Sequence, residues 1–298
     1  MELRELRYFL AVAQEQSITK AAEYLYIAQP SLSKQMQNLE KEIGRPLFVR
    51  GSRKITLTET GMLLKKRAEE MMDLYEKTEA EISAPEGDIC GNVHIGSGES
   101  YAVRTVAKAA KEVMLEHPRI KFDFFSGDAN DVTEKLDKGL LDFGILVDYA
   151  DLSEYNSMRL PLADSWGVLM RKDSPLAEKD TVAPEDLSGQ PLICSQQSME
   201  KHGVIKQWFG EISDLNVRAK VNLVYNASVL VREGVGYAVT LARLVNTTGD
   251  SDLCFRPISP AIETHLDIVW KKYAVFSKPS ECFLNKLREI LRSEAPAS

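Results

Sequence analysis

The chain has 298 residues, 44% hydrophobic and 27% charged, the balance of an ordinary globular protein with room for two or three folded units. Its longest apolar stretches fall far short of the about 20 residues that cross a bilayer, and the opening Met1-Glu2-Leu3-Arg4-Glu5 lacks the apolar core of a secretory signal, so a cytoplasmic location without membrane contact is expected. Formal charge is -7 for the whole chain, yet residues 1–67 hold twelve Lys and Arg against seven Asp and Glu, a basic head on an acidic body.

Leu3, Leu6, Phe9, Leu10 and Ala13 recur at helical spacing and predict an amphipathic first helix ending near Gln16. Ser17 is placed to cap a short second helix over 18–25. A third begins at Gln29-Pro30-Ser31, with Pro30 in the first turn, where its missing N–H costs nothing. Leu32, Met36, Leu39 and Ile43 form its buried stripe, and Gly44 ends it. Its other face carries Ser31, Ser33, Lys34, Gln35, Gln37, Asn38 and Lys41, donors and acceptors that suit base edges and phosphates; the alternative is a solvated surface. Two β-prone runs then flank Gly51-Ser52 and predict a hairpin wing tipped by Arg50, Arg53 and Lys54.

The run AQPSLSKQMQNLEKEIGRPLF, followed by VRGSRKITLTETG, closely resembles the signature of the LysR-type transcriptional regulators. The resemblance implies a winged helix-turn-helix over residues 1–58 with Gln29, Pro30, Ser31, Ser33 and Lys34 facing double-stranded DNA, and Arg50 and Arg53 on the wing; Gln37, on the same polar face, joins them. Lys34 stands where the family often has arginine, which removes a bidentate donor.

Leu57, Gly61, Leu64, Ala68, Met71, Tyr75, Thr78 and Ile82 follow steps of four and three, the a/d seam of a coiled coil. Such a seam predicts a dimerising linker helix over 59–84; the alternative is a helix packed on its own domain. The family resemblance implies the dimer, or a tetramer built from it, set on an interrupted inverted repeat. Pro85 and Gly87 mark residues 85–91 as a hinge.

Beyond it, β-rich runs at 93–96, 121–125, 142–147, 166–170, 192–194, 220–224 and 237–241 alternate with helical ones, predicting α/β units with mainly parallel sheets. Residues 92–298 read as one effector domain of two lobes: lobe I about 92–160 and 266–298, lobe II about 161–265. This matches the effector domain of the resembled family, which is similar to the type 2 periplasmic binding-protein fold. Ligands of open α/β sheets collect at strand carboxyl ends. That rule selects Ser97, Glu99, Ser100, Asp128, Ser195, Gln197, Tyr225 and Asn226 as effector-binding candidates, each alternatively a cap or turn residue. With Glu99 and Asp128 both in the cleft, a bare anion would be repelled, so an effector bearing an ammonium or several hydroxyls is expected.

No catalytic apparatus, cofactor or metal site is expected. Gly96-Ser97-Gly98 is followed by Tyr101 where a dinucleotide fingerprint needs its third glycine, and Ser97 is not in a Gly-x-Ser-x-Gly elbow. His94, His117, His202 and His265 are dispersed, and Cys90, Cys194, Cys254 and Cys282 form no C-x-x-C pair, so the thiols read as reduced. Cys194, at a predicted strand end, is the one candidate for a redox role; without a neighbouring thiol, a buried structural cysteine is the preferred reading.

Overall fold

The structure is a computed structural model describing residues 1–51, 54–82, 89–147, 152–195, 197–199, 203–210 and 215–294, with backbone only for Arg50, Ala80, Glu81, Gln197 and Val204. It divides into two compact units, Met1–Pro85 and Glu86–Ser298.

In the first unit, α1 (Leu3–Glu15), α2 (Ile18–Tyr24) and α3 (Gln29–Ile43) precede a hairpin of β1 (Phe48–Arg50) and β2 (Ile55–Leu57), then α4 (Glu59–Ile82). Leu6, Phe9 and Val12 of α1 meet Leu32, Met36 and Leu39 of α3 and Leu47 in one core. The Ser17 side chain accepts the Lys20 N–H at 3.4 Å, capping α2 as expected, and Gly44 ends α3 with φ 75°. The hairpin is antiparallel with Phe48 opposite Leu57. Ser52 and Arg53, and most of the expected hinge, lie outside the described residues.

The seam read along α4 divides. Gly61 and Ala68 are buried in the unit's own core with Leu57 and Leu64 against them, and Arg7 lies over the Tyr75 ring at 5.3 Å. Farther on, Met71 and Ile82 are exposed. A helix with 3.6 residues per turn drifts about 20° per heptad from a strict seven-residue repeat, so the row turns from the domain towards solvent. The open apolar row is Leu63, Met71, Leu74 and Ile82.

The second unit holds two sheets. Its elements begin with β3 (Gly91–Ser97), α5 (Val103–Glu116), β4 (Ile120–Ser126), α6 (Ala129–Asp137), β5 (Phe143–Val147) and β6 (Tyr155–Arg159). The chain then crosses to β7 (Asp164–Arg171), β8 (Leu192–Ser195), α7 (Val204–Phe209), β9 (Val217–Val221), α8 (Val224–Arg232), β10 (Tyr237–Leu241), β11 (Leu253–Pro257) and β12 (Glu263–Thr264). It returns through β13 (Leu266–Lys271) to α9 (Lys278–Glu294). The lobe I sheet runs β4-β3-β5-β13-β6 and the lobe II sheet β11-β7-β10-β8-β9, with β12 on β7.

Side chains alternate across each sheet, as a period of two requires. Ile145 and Ile268 face a core shared with Val106 of α5 and Phe283 of α9, whereas Leu146 and Val269 face Val132 and Leu136 of α6. In lobe II, Cys194 and Val239 face Ile205 and Phe209 of α7, and Ile193 and Ala238 face Ala227 and Val231 of α8. Phe143 stacks on Phe276 at 5.0 Å and meets Phe283 edge-on at 5.1 Å; burial of each such ring contributes about 1.5–3 kcal/mol.

Two expectations change. The sheets are mixed: β3, β4 and β5 are parallel, as are β8, β9 and β10, but β13 runs antiparallel to β5 and β6, and β7 antiparallel to β10 and β11. The antiparallel members are the segments that enter and leave lobe II. The strand expected at 220–224 is β9, ending at Val221, and Val224 already opens α8, so Tyr225 and Asn226 belong to a helical first turn rather than a strand-end loop.

Candidate nucleic-acid interface and effector cleft

The signature residues of the first unit sort into those that build it and those left facing outward. Glu40 of α3 accepts the backbone N–H groups of Leu47 at 2.8 Å and Phe48 at 3.2 Å, holding the start of the wing to the helix. The Thr58 hydroxyl donates to the Pro46 carbonyl at 2.8 Å and accepts the Gly61 N–H at 3.0 Å, capping α4. At Gly61 a Cβ would stand 2.2 Å from the Leu47 carbonyl oxygen, so only glycine lets α4 lie this close to the wing.

Left over is the first half of α3. Gln29, Pro30, Ser31, Lys34 and Gln37 are exposed and Ser33 half-buried, and among the described residues no internal hydrogen bond or ion pair engages their side chains. Ala28 at the N-cap supplies no side-chain acceptor, so the positive end of the α3 dipole is left without a side-chain cap, a favourable place for phosphate oxygens. Tyr26, at φ 55° in the turn before α3 and 96% exposed, is a further outward group that the motif reading passed over. Of the wing residues, Arg53 lies outside the described residues and Arg50 is described by its backbone alone.

In the second unit the loop between β3 and α5 reaches across to lobe II and the crossover. The Glu99 carboxylate accepts the backbone N–H of Val224, the first residue of α8. The Ser100 hydroxyl donates to Asp164 Oδ2 at 2.5 Å and accepts the Ala102 N–H at 2.9 Å. The Arg243 guanidinium lies 4.3 Å from the centre of the Tyr101 ring, donates to the Ala163 carbonyl at 3.2 Å and stands 3.6 Å from Asp164 Oδ1. Asp164 is fully buried, and its Oδ1 makes no hydrogen bond, so the nearby guanidinium is what offsets that charge. Beside it Trp166 Nε1 donates to the buried Thr264 hydroxyl at 2.7 Å.

The structure therefore joins Glu99 and Ser100 to the far lobe or the crossover, with Tyr225 and Asn226 exposed on the first turn of α8 beside Val224. The other candidates have local duties. Asp128 caps α6, accepting the Asn130 and Asp131 N–H groups at 2.9 and 3.0 Å. The hydroxyl of Ser97 donates to the Gly98 carbonyl at 2.6 Å, and that of Ser195 accepts the Ser198 N–H at 3.0 Å. Gln197 lies in a short 3-10 turn and is described by its backbone. Asp128 is engaged as a cap and Glu99 on a helix N–H, so each carboxylate has a backbone partner.

Asp164, Tyr101 and Arg243 were missed. A lone carboxylate opening an apolar strand was a signal for Asp164, and Arg243 follows the carboxyl end of β10, where the strand-end rule would have found it. Cys194 is buried in the lobe II core and burial pushes its thiol up to about 12, away from nucleophilic behaviour. Among the described residues no group of three His, Cys, Asp or Glu side chains is placed to hold a metal ion, and no helix is long and apolar enough to cross a membrane.

Both units match one family. Residues 3–62 match the model of the bacterial regulatory helix-turn-helix protein, lysR family, and residues 86–292 that of the LysR substrate binding domain. The chain thus belongs to the LysR family of transcriptional regulators, which join a DNA-binding helix-turn-helix to a domain for a small-molecule effector. Among its relatives, the Hca operon transcriptional activator HcaR of Escherichia coli (strain K12) is 31% identical over 288 residues, covering 91% of this chain and 92% of that protein. The HTH-type transcriptional regulator BsdA of Bacillus subtilis (strain 168) is 28% identical over 297 residues, covering 96% and 99%. The fold is also that of full-length CbnR complexed with its target DNA, at a TM-score of 0.74 and 19% identity over 97% of this chain and 100% of that one.

Proposed function

We propose that Gln29, Pro30, Ser31, Ser33, Lys34 and Gln37 meet operator DNA from the exposed face of α3, Lys34 at a phosphate, with Arg50 and Arg53 of the wing on further phosphates. The observation that carries this is a polar helix face whose side chains have no internal partner among the described residues, with Leu32, Met36 and Leu39 buried beneath it. Residues 1–58 are the DNA-binding domain, 59–84 the linker helix through which copies associate, and 92–298 the effector domain. The open apolar row Leu63, Met71, Leu74 and Ile82 on α4 supports self-association, as do exposed Leu115 and Phe124 on the effector domain. A dimer, or a tetramer of paired dimers, places two α3 helices on an interrupted inverted repeat.

The effector binds between the lobes, near Ser97, Glu99, Ser100, Asp128, Ser195, Gln197, Tyr225 and Asn226, with Arg243 and Tyr101 added by their contacts with the same loop. Binding there favours one lobe arrangement and shifts the spacing of the DNA-binding domains, a population shift rather than chemistry on the ligand. The protein works in the cytoplasm and has no catalytic role of its own. Sequencing of genomic fragments retained by the full-length protein tests this: a sharp interrupted inverted repeat is expected, and diffuse binding lost with salt would overturn the assignment.

A further inference from the structure

We infer that Glu99 is an interlobe latch: its carboxylate, carried by lobe I, fastens the first turn of α8 in lobe II, and it thereby denies that helix terminus to a small carboxylate effector. The inference rests on the effector-domain reading above.

Three consecutive residues make the case. Glu99 bonds Val224 of α8, Ser100 bonds Asp164 at the crossover, and Tyr101 receives Arg243 of lobe II on its ring. A loop needed only to join β3 to α5 would have no reason to present three successive side chains to groups outside lobe I. The first turn of α8 is also built to accept such a partner. Its N-cap is Leu223, which has no side-chain acceptor, so the helix does not cap itself. Asp128 does this duty for α6 from the adjacent residue; α8 receives its carboxylate from 125 positions away. An ionised carboxylate at a helix N-terminus gains from both the N–H hydrogen bond and the helix dipole.

The latch also weighs on ligand choice. A carboxylate attached to the chain is present at α8 at an effective concentration of roughly millimolar or more, so a free monocarboxylate must exceed that to displace it. An effector entering here instead meets Glu99 as an acceptor, which favours a ligand presenting N–H or O–H donors.

The test is hydrogen exchange of the full-length protein, read on the peptide that spans the start of α8, for wild type, Glu99→Gln and Glu99→Ala. The expected result is exchange roughly ten- to hundredfold faster at that turn in Glu99→Ala, the factor a hydrogen bond to a charged group supplies, with Glu99→Gln between the two. Sodium acetate restores protection in Glu99→Ala and leaves wild type unchanged. Unaltered exchange in Glu99→Ala, loss spread over both lobes, or no restoration by acetate would each overturn the latch. Operator binding by the same samples judges the regulator assignment separately, since a chain that retained no specific DNA would sink that reading whatever happens at α8.

Discussion

Glu40 accepts the backbone N–H of Leu47 at 2.8 Å, so the α3 helix and the wing that follows it are held by one carboxylate. The same oxygen takes the Phe48 N–H, and Phe48 in turn rests on Phe9 with ring centres 5.4 Å apart. The second strand is tied in turn to the end of α1, where the Ile55 N–H donates to the Gln16 carbonyl at 2.9 Å.

Replacing Glu40 with alanine leaves two N–H groups without their acceptor. Loss of about 1–3 kcal/mol is expected from each that stays buried, together with weaker operator binding, measured by denaturant unfolding and by gel shift. Glu40→Gln, which keeps an acceptor, should recover most of the stability.

Gly61→Ala tests the contact of α4 with the wing. The added methyl would meet the Leu47 carbonyl, a backbone group that cannot turn aside, and a loss of about 1–3 kcal/mol is expected in equilibrium unfolding even though alanine is the better helix former. A stabilised variant would mean that α4 does not lie where the structure puts it.

Lys34→Ala separates phosphate contact from base reading. Removing one cation that neutralises a phosphate lowers the slope of log affinity against log salt by about 1 while leaving the preferred sequence unchanged. A changed consensus in selection from random DNA would instead place Lys34 against a base edge.

Cys194 should resist thiol reagents. A thiol pushed up to about 12 is almost wholly protonated at neutral pH, and its thiolate share grows only as pH approaches that value, well above the range of an ordinary cysteine. In native labelling near pH 8 with mass spectrometry, half-buried Cys90 and Cys282 are expected to react before it, and Cys194→Ser should keep its DNA response under peroxide.

How far these features were legible varied with the range of the interactions behind them. The first three helices follow from local periodicity: Leu32, Met36 and Leu39 are spaced for one face, and all three are buried. Gly61 was readable as small, but the reason for its size is a carbonyl fourteen residues earlier, which the spacing along α4 does not reveal. The β9 boundary slipped because Val221, Leu223 and Val224 look strand-like, whereas pairing with β8 stops at Val221. Strand β6 went unseen since Tyr155-Asn156-Ser157-Met158-Arg159 has little apolar alternation, and its strand state comes from β13 alongside it. The cleft was the least legible part. Asp164 and Arg243 are 79 positions apart, so their pairing belongs to the tertiary fold and to no motif.

Lobe II leaves and rejoins lobe I through neighbouring segments: the Leu160 N–H donates to the Leu266 carbonyl at 2.8 Å, and Asp164 pairs with Thr264 across β7 and β12. The strands described between those two places form one sheet, covered by helices with their own cores. In terms of ancestry and engineering this is an insertion with both ends at a single doorway, the arrangement under which a segment can be exchanged without re-threading its host. A relative's lobe grafted between 164 and 264 would bring new cleft chemistry to an unchanged reading head, so that recombination at two points could reassign a signal while the set of governed promoters stayed as it was.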